Sequence, residues 1–585
     1  MPEASPRSRH AAPSWVDALL FAHARAQAAP GGHGELSKAR RPPAKLARSF
    51  RAGNRMPSAP SPSTRSHWPV WLALALLAAA GALWWWWMGR PVALPDAPSS
   101  RIACVSYAPF RAPGETPYDP RAFVSPQRID ADLRALSQRF DCVRTYSQAF
   151  GLDAVPGIAE RYGMKVIMGI WLDRDPLANA REVARGIATA NAHPRALRGV
   201  IVGNEVLLRG ELAPEALAAY ARQVRAAIPP AVPVSYADVW EDWLRYPQMA
   251  QAVDYLTIHI LPYWEDDPVP PEHAVRHVAE VYAQIRRAFP GKAVMIGETG
   301  WPSAGRARRA ARASLVNEAR YLREFLAYAT TVDMPYNVIE AFDQPWKRAQ
   351  EGTVGGYWGI FDVDARPKFA MAGPVTEEPR WWLGWLAGAA GALLFAVAGA
   401  WKRGWRGARG WAALALAGAG GGPALAWQGR QMLYACRNAF EWALSGAACL
   451  AALLTALWLA RALAARLAGT AAPLPPRWLR FGWLFGLALL DLLLTADGRY
   501  RDFPLGLFAL PCAGYALLAA AGARLAPSLE ERFLAGAAAL MGAVLVAMEL
   551  GLDAVTWLWL GLNLALAVPV LRRGLAAQQA QAAHQ

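Results

Sequence analysis

The chain has 585 residues, of which 54% are apolar and 18% charged, with 27 tryptophans and a formal net charge of +16. Soluble domains carry about 25% charged residues, so a wholly soluble chain is disfavoured, and the length points to several domains. The positive charge does not point to nucleic acid, because the basic residues gather in the N-terminal tail and in short loops between apolar runs, as in membrane proteins.

Residues 1–67 are rich in Pro, Ser, Ala and Arg and hold eleven basic residues against Glu3, Asp17 and Glu35. They are predicted to be a disordered basic tail, with a short amphipathic helix near Trp15 to Ala28. Met56 is an alternative start that would leave a short basic stretch before the next run, as in export signals. Residues 68–89 are apolar and end in Trp84-Trp85-Trp86-Trp87, and a tryptophan cluster belongs at a membrane interface. No A-x-A cleavage site follows, so the segment reads as an uncleaved signal anchor, with a cleaved signal peptide as the alternative.

Charges return over residues 101–370, where short β-type runs alternate with amphipathic helices. The runs are Ile102–Tyr107, Cys142–Tyr146, Lys165–Ile170, Gly199–Gly203, Val232–Tyr236, Tyr255–His259, Ala293–Ile296 and Tyr336–Glu340. Eight βα units in roughly 270 residues predict an α/β fold, a (β/α)8 TIM barrel whose site lies at the C-terminal ends of the strands. Cys104 and Cys142 read as buried free thiols, with pairing as the alternative in an oxidising compartment. None of the cysteines sits in a metal-ligand spacing, so no metal site and no cofactor are expected.

From 381 to 571 the chain is apolar again and predicts an α-helical membrane domain of seven spans, near 381–401, 410–427, 440–461, 479–496, 504–522, 533–550 and 553–571. With the basic tail inside, the barrel falls outside. The inner loops then hold Lys402, Arg403, Arg406 and Arg409, next Arg461, Arg466, Arg477 and Arg480, then Arg524 and Arg532. The outer ends hold Glu441, Asp497, Asp502, Glu549 and Asp553. That asymmetry fits eight spans with both termini cytoplasmic, including the tail 572–585. Asp491 lies within a span and, with Glu549 or Asp553, is a candidate to hold a sugar acceptor; solvated loop ends are the simpler alternative.

Two glutamates stand at strand ends: Glu205 in "VGNEV" and Glu298 in "IGETGWPS". Paired carboxylates across a barrel mouth suit glycoside hydrolysis, one protonating the leaving oxygen and the other attacking the sugar carbon or activating water. The acid needs a raised pKa and the nucleophile must stay ionised. Asn204 is placed to donate to a substrate hydroxyl. Arg144 and Tyr146 end the second strand, where they can hold Glu298 ionised. Tyr107, Tyr263, Trp301, Phe342 and Trp346 are candidates to line a sugar cleft, each with core packing as the alternative. Lys347 and His259 are weaker candidates, His259 reading equally as a buried, hydrogen-bonded histidine.

"VGNEVL" (202–207) and "IGETGWPS" (296–303) resemble the two active-site motifs of glycoside hydrolase family 17, and "SYAPF" (106–110), "VRTYS" (143–147), "MGIWLD" (168–173), "LPYW" (261–264), "EAFDQPWK" (340–347) and "YWGIFD" (357–362) agree. The resemblance implies that Glu205 is the acid/base and Glu298 the nucleophile of a retaining enzyme acting on β-1,3-linked glucan. Gln344 stands where many members have an acid, which touches one rim subsite. Bacterial relatives of this shape resemble proteins that build or remodel cyclic or branched β-glucans, which favours transfer, with β-1,6 branching among the outcomes. The implied partners are a β-glucan polysaccharide or oligosaccharide and the lipid bilayer, with no nucleic acid. The implied place is the inner membrane of a bacterium, with a periplasmic barrel. Two other readings compete: a polymerase using nucleotide sugars, for which no phosphate loop or additional soluble domain is present, and a non-catalytic glucan-binding domain on a membrane transporter or sensor.

Overall fold

The computed structural model describes residues 67–400, 407–470 and 473–582. The expected basic tail lies outside the described residues apart from His67, as do Lys402, Arg403 and Arg406 of the first inner loop. Helix α1 (Trp68–Met88) is apolar on all sides and leads into the two-residue strand β1 (Pro91–Val92).

Strands β2 (Val105–Ser106), β3 (Cys142–Arg144), β4 (Lys165–Ile170), β5 (Leu197–Asn204), β6 (Val234–Val239), β7 (Tyr255–His259) and β8 (Ala293–Glu298) form one seven-stranded parallel sheet in chain order. Their continuous apolar runs, such as Val166 to Ile170, are buried throughout, as parallel strands covered by helices require. The eighth position is taken by Tyr336 to Val338, whose bridges reach Ile296 on β8 and Val105 on β2. The sheet therefore curls back on itself in a (β/α)8-like arrangement. Pairing on β6 starts at Val234, two residues later than expected, because Pro233 has no N–H to give the ladder.

Helices α2 (Pro126–Leu136), α3 (Val155–Arg161), α4 (Pro176–Ala192), α5 (Pro214–Ala227), α6 (Trp240–Arg245), α7 (Ala274–Ala288) and α8 (Leu315–Thr331) follow the successive strands. Local chemistry starts several of them. Ser125, Asp175 and Ser314 accept hydrogen bonds from the first-turn amides of α2, α4 and α8, and Pro126 and Pro176 occupy the first helical position, where a missing N–H costs nothing. At the bottom of the barrel Cys104 and Cys142 pack with Ile167, Ile201, Ala237 and Met295 and form a disulfide, which corrects the reading of two free thiols: β2 and β3 are neighbours, and their cysteines face the same interior.

A short helix α9 (Arg348–Glu351) precedes β9 (Val375–Thr376), which pairs antiparallel with β1. The C-terminal region is helical: α10 (Trp382–Ala400), α11 (Gly407–Ala435), α12 (Ala439–Leu467), α13 (Arg477–Ala496), α14 (Leu505–Ala520), α15 (Leu529–Met548) and α16 (Ala554–Ala582). The seven expected helices are present. Across the described residues six helices, α1 included, are long and apolar enough to cross a membrane. Helices α11 and α14 are not among the six; α14 is apolar but has only 16 residues. Helices α10 and α11 touch backbone to backbone, because a Cβ on Gly422 would collide with the carbonyl of Ala387.

The loops at the C-terminal ends of the strands rest on this helical region. Arg306, after β8, pairs with Glu549 at 2.7 Å and donates to the carbonyl of Arg501. Arg499 donates to the carbonyl of Trp264, Thr353 bonds Asp502, and Arg348 and Tyr357 both reach the carbonyl of Tyr434.

Candidate active site

Glu205 follows the last residue of β5, Glu298 ends β8 and His259 ends β7, so parallel strands of one curled sheet deliver all three to one mouth. A ligand atom from each lies within 4.8 Å of the others. Glu205 adopts φ 53°, a strained conformation for a residue with a side chain and of a kind that gathers at functional sites. His259 Nδ1 lies 2.8 Å from Glu205 Oε1, while Nε2 is 3.6 Å from Glu298 Oε1.

The two carboxylates are held differently. On Glu298 both protein partners sit on Oε1: Arg144 Nη1 donates at 3.1 Å and the Tyr146 hydroxyl lies at 2.8 Å. Oε2 has no protein hydrogen bond among the described residues. Arg144 is buried, donates also to the Gly297 carbonyl and Asn204 Oδ1, and lies over the Tyr146 ring. Ser106 and Asn337 complete the support: Asn337 Nδ2 donates to Ser106 Oγ and to the Gly297 carbonyl, both at 2.8 Å, and Ser106 Oγ touches Tyr146. The Glu205 side chain is 25% exposed against 7% for Glu298, so Glu205 is the more open to solvent. Burial raises the Glu205 carboxyl, but the bond and charge of His259, then Arg209 and Arg144, outweigh it, and the group sits below the usual carboxylate range. This differs from the raised acid expected from sequence, and the neighbours are its cause.

The cluster Glu205, His259 and Glu298 also has the spacing of a three-ligand metal site. Sequence spacing missed it because the ligands come from separate strands. Arg144 already supplies positive charge beside Glu298.

Of the other expected residues, Arg144 and Tyr146 meet at Glu298, Asn204 accepts from Arg144, and Lys347 lies within electrostatic reach of Glu298, paired with Glu340 at 2.7 Å. Trp346 is half-buried and meets the exposed Tyr118 edge to face. Four aromatics are corrected. Tyr107 is buried, with its hydroxyl on Asp132, and Phe342 packs beside it in the core. Tyr263 is buried with its hydroxyl on the Arg306 carbonyl, and Trp301 is buried with its indole N–H on the Arg312 carbonyl. Each fills the core beneath a loop, so none is on a cleft wall. Gln344 is likewise buried, donating to the Ala108 carbonyl and accepting from the Trp346 indole, which places it behind Trp346.

Sequence reasoning passed over Tyr118, Trp171, Arg209 and Glu351. Arg209 lies over the Trp171 ring at 4.3 Å and stands within electrostatic reach of Tyr118, as does Lys347. Burial raises the Glu351 carboxyl, Lys347 opposes this, and Glu205 and Glu298 add to it. Tyr118, Trp171 and Arg209 sit in loops and Glu351 ends the single-turn helix α9, segments too short to show a period; only "MGIWLD", quoted for Trp171, carried a signal. Of the acceptor set expected around Asp491 with Glu549 or Asp553, Asp491 and Glu549 already have protein partners. Asp491 is buried between helices, accepting from the Trp559 indole at 2.6 Å, while Glu549 is spent on Arg306 and the Arg309 amide.

Residues 104–359 match the family model described as BtgE/BtgC glycoside hydrolase domain. Among curated proteins, a glucan 1,3-beta-glucosidase of Arthroderma benhamiae is 26% identical over 259 residues, 41% of this chain and 83% of its own. A glucan 1,3-beta-glucosidase of Schizosaccharomyces pombe is 26% identical over 256 residues, 41% of this chain and 79% of its own. Among solved structures, an active-site mutant of a Rhizomucor miehei beta-1,3-glucanosyltransferase in complex with laminaritriose is 26% identical, covers 48% of this chain and 98% of its own, and has a TM-score of 0.41. The chain is a glycosidase.

Proposed function

We propose that the chain is a membrane-anchored glycosidase that acts on β-1,3-linked glucan by a retaining double displacement, passing the glycosyl group to water or to a second sugar. The observation that carries the mechanism is the closeness of Glu205 and Glu298, with oxygens within 4.8 Å of one another. Retaining enzymes keep their carboxyl groups about 5–5.5 Å apart, whereas inverting ones leave about 6.5–9.5 Å for a water. Glu298, with Arg144 and Tyr146 on one oxygen, is the nucleophile, and its other oxygen attacks the anomeric carbon. Glu205 donates the proton to the leaving oxygen and afterwards takes one from the incoming hydroxyl. Tyr118, Trp171 and Trp346 offer ring faces to glucose. The names of the curated relatives support the β-1,3-glucan substrate. Laminari-oligosaccharides incubated with the full-length protein are expected to give products longer than the substrate, read by mass spectrometry. Only shorter products would mean that water is the acceptor, and no conversion would remove the reading.

Glu205 must be protonated to act as the acid, yet it sits below the usual range. Its protonated fraction in the free enzyme therefore grows as pH falls, and kcat/KM on glucans should rise on the acid side of neutrality. His259→Ala removes the largest of the lowering causes, so the alkaline limb should move upward. pH profiles of kcat/KM for both proteins check this, and an unmoved limb would remove His259 from the account.

The proposed domains are the tail 1–67, the anchor 68–89, the barrel 101–370, the membrane domain 381–571 and the tail 572–585. Two observations support a barrel outside the cytoplasm. Its loops meet Tyr434, Asp502 and Glu549, all at helix ends that charge asymmetry puts outside. The Cys104–Cys142 disulfide suits an oxidising compartment such as a periplasm. A reporter active only in the periplasm should work when fused after residue 376, and one active only in the cytoplasm should work after Arg573. The reverse at either point would refute the orientation.

A further inference from the structure

A cavity of about 680 Å³ lies among α1, α11, α12, α14 and α16, away from the Glu205–Glu298 site. That volume falls in the range of about 300–1,000 Å³ that encloses small ligands. Its wall is chiefly apolar, with Leu77, Leu459, Leu463, Leu510 and Leu558 among the lining side chains. From Leu74 to Met88 the lining runs about 21 Å along α1, at ~1.5 Å per residue, which exceeds half of the ~30 Å hydrocarbon core. One leaflet's acyl chain fits that length.

The polar end of the cavity is closed by the barrel loop Gly305–Ala313 and by Asp553 at the start of α16. The charges there are not all spent. Arg309 pairs with Asp267, and Glu377 with Arg430. Among the described residues Arg312 has no carboxylate within ion-pair distance; it lies 5.9 Å from the Trp84 ring and 5.6 Å from the Trp87 ring, and its charge reaches Asp553. Those tryptophans belong to the cluster that sits at a membrane interface. Asp553 is 3% exposed. Its Oδ1 caps α16 by accepting from the Val555 amide, but its Oδ2 is buried with no hydrogen-bond partner among the described residues. A buried carboxylate oxygen without a donor is costly. The cavity therefore presents, at its polar end above an apolar slot, a cation held only by ring faces and by the longer-range charge of Asp553, and a carboxylate oxygen that no described donor meets.

We propose that this cavity binds a single phospholipid whose headgroup carries a hydrogen-bond donor beside its phosphate, phosphatidylethanolamine being the simplest. The acyl chain lies along α1, Arg312 meets the phosphate, and the ammonium donates to Asp553 Oδ2. Phosphatidylcholine offers the same phosphate but no donor, so it leaves Asp553 unsatisfied. The site rests on the membrane insertion proposed above. Its polar end is the loop that leaves β8 seven residues after Glu298, so the bound headgroup would brace the strand connection behind the nucleophile.

The test uses the full-length protein, extracted in mild detergent from vesicles of phosphatidylethanolamine and phosphatidylcholine, with retained lipid read by native mass spectrometry. Wild type is expected to keep one phosphatidylethanolamine at a ratio at least tenfold above phosphatidylcholine. Asp553→Asn should cut that preference to near unity, and Arg312→Ala should reduce retention of both lipids at least fivefold. Ala513→Phe, which narrows the slot, should reduce retention without touching either charge. Equal retention of the two lipids by wild type, or unchanged preference in both charge variants, overturns the proposal. Flotation of each variant with vesicles separates the two readings. A chain that floats but keeps no lipid loses the site alone, and a chain that does not float loses the site and the membrane insertion together.

Discussion

Glu298→Gln should lower turnover on laminari-oligosaccharides by roughly 10^4- to 10^6-fold with the fold intact, the range that loss of a covalent nucleophile costs elsewhere. The amide is nearly isosteric and can still meet the Tyr146 hydroxyl, so the barrel should not collapse. It cannot form the glycosyl ester, and it leaves the buried Arg144 guanidinium without its anion. Removing one member of a buried charge pair costs about 3–5 kcal/mol when nothing replaces it, so a modest fall in Tm is expected as well. Steady-state rates and a melting curve on the same sample distinguish the two effects. A variant that melts like the wild type and turns over at a near-wild-type rate would remove the double displacement altogether.

Glu205→Ala should divide substrates by their leaving groups. A glucan's leaving alcohol needs a proton, so loss of the acid should cost about 10²- to 10⁴-fold there. An activated aryl β-glucoside leaves without a proton, so formation of the glycosyl-enzyme should be nearly unaffected. Breakdown of that intermediate still needs a base, and the intermediate should therefore accumulate and show as a burst of aryl product. Equal losses on both substrates, with no burst, would count against Glu205 as the acid.

The barrel was legible because its cause is periodic. Apolar runs such as Val166 to Ile170 recur at nearly even spacing, and a parallel sheet covered by helices leaves few other uses for them. Glu205, Glu298, Arg144 and Tyr146 were legible for a related reason: a residue at a strand end is placed by the strand. The aromatics failed because an indole or phenol in a strand-end motif carries no mark of which way it packs. Trp301 and Tyr263 satisfy their polar atoms on the carbonyls of Arg312 and Arg306, bonds that depend on a loop path no period encodes. Tyr118 and Arg209 escaped for the same reason in reverse, since only the folded loops bring them beside Trp346 and Trp171. The disulfide was undecided because sequence separation does not reveal that β2 and β3 put both thiols on the inside.

The short ribbon of Pro91–Val92 and Val375–Thr376 binds the way into the barrel to the way out of it. With Arg306, Thr353, Arg348 and the Trp264 carbonyl also fastened to the helical region, the barrel is held at more than its two chain connections. In the proposed topology the cleft stays at one height above the lipid. Reach, and not affinity alone, then selects the substrate: a glucan is processed only where some part of it lies along the membrane surface. A long chain would then be handled at its base while its far end extends into the surrounding space, as thread is worked at a fixed needle.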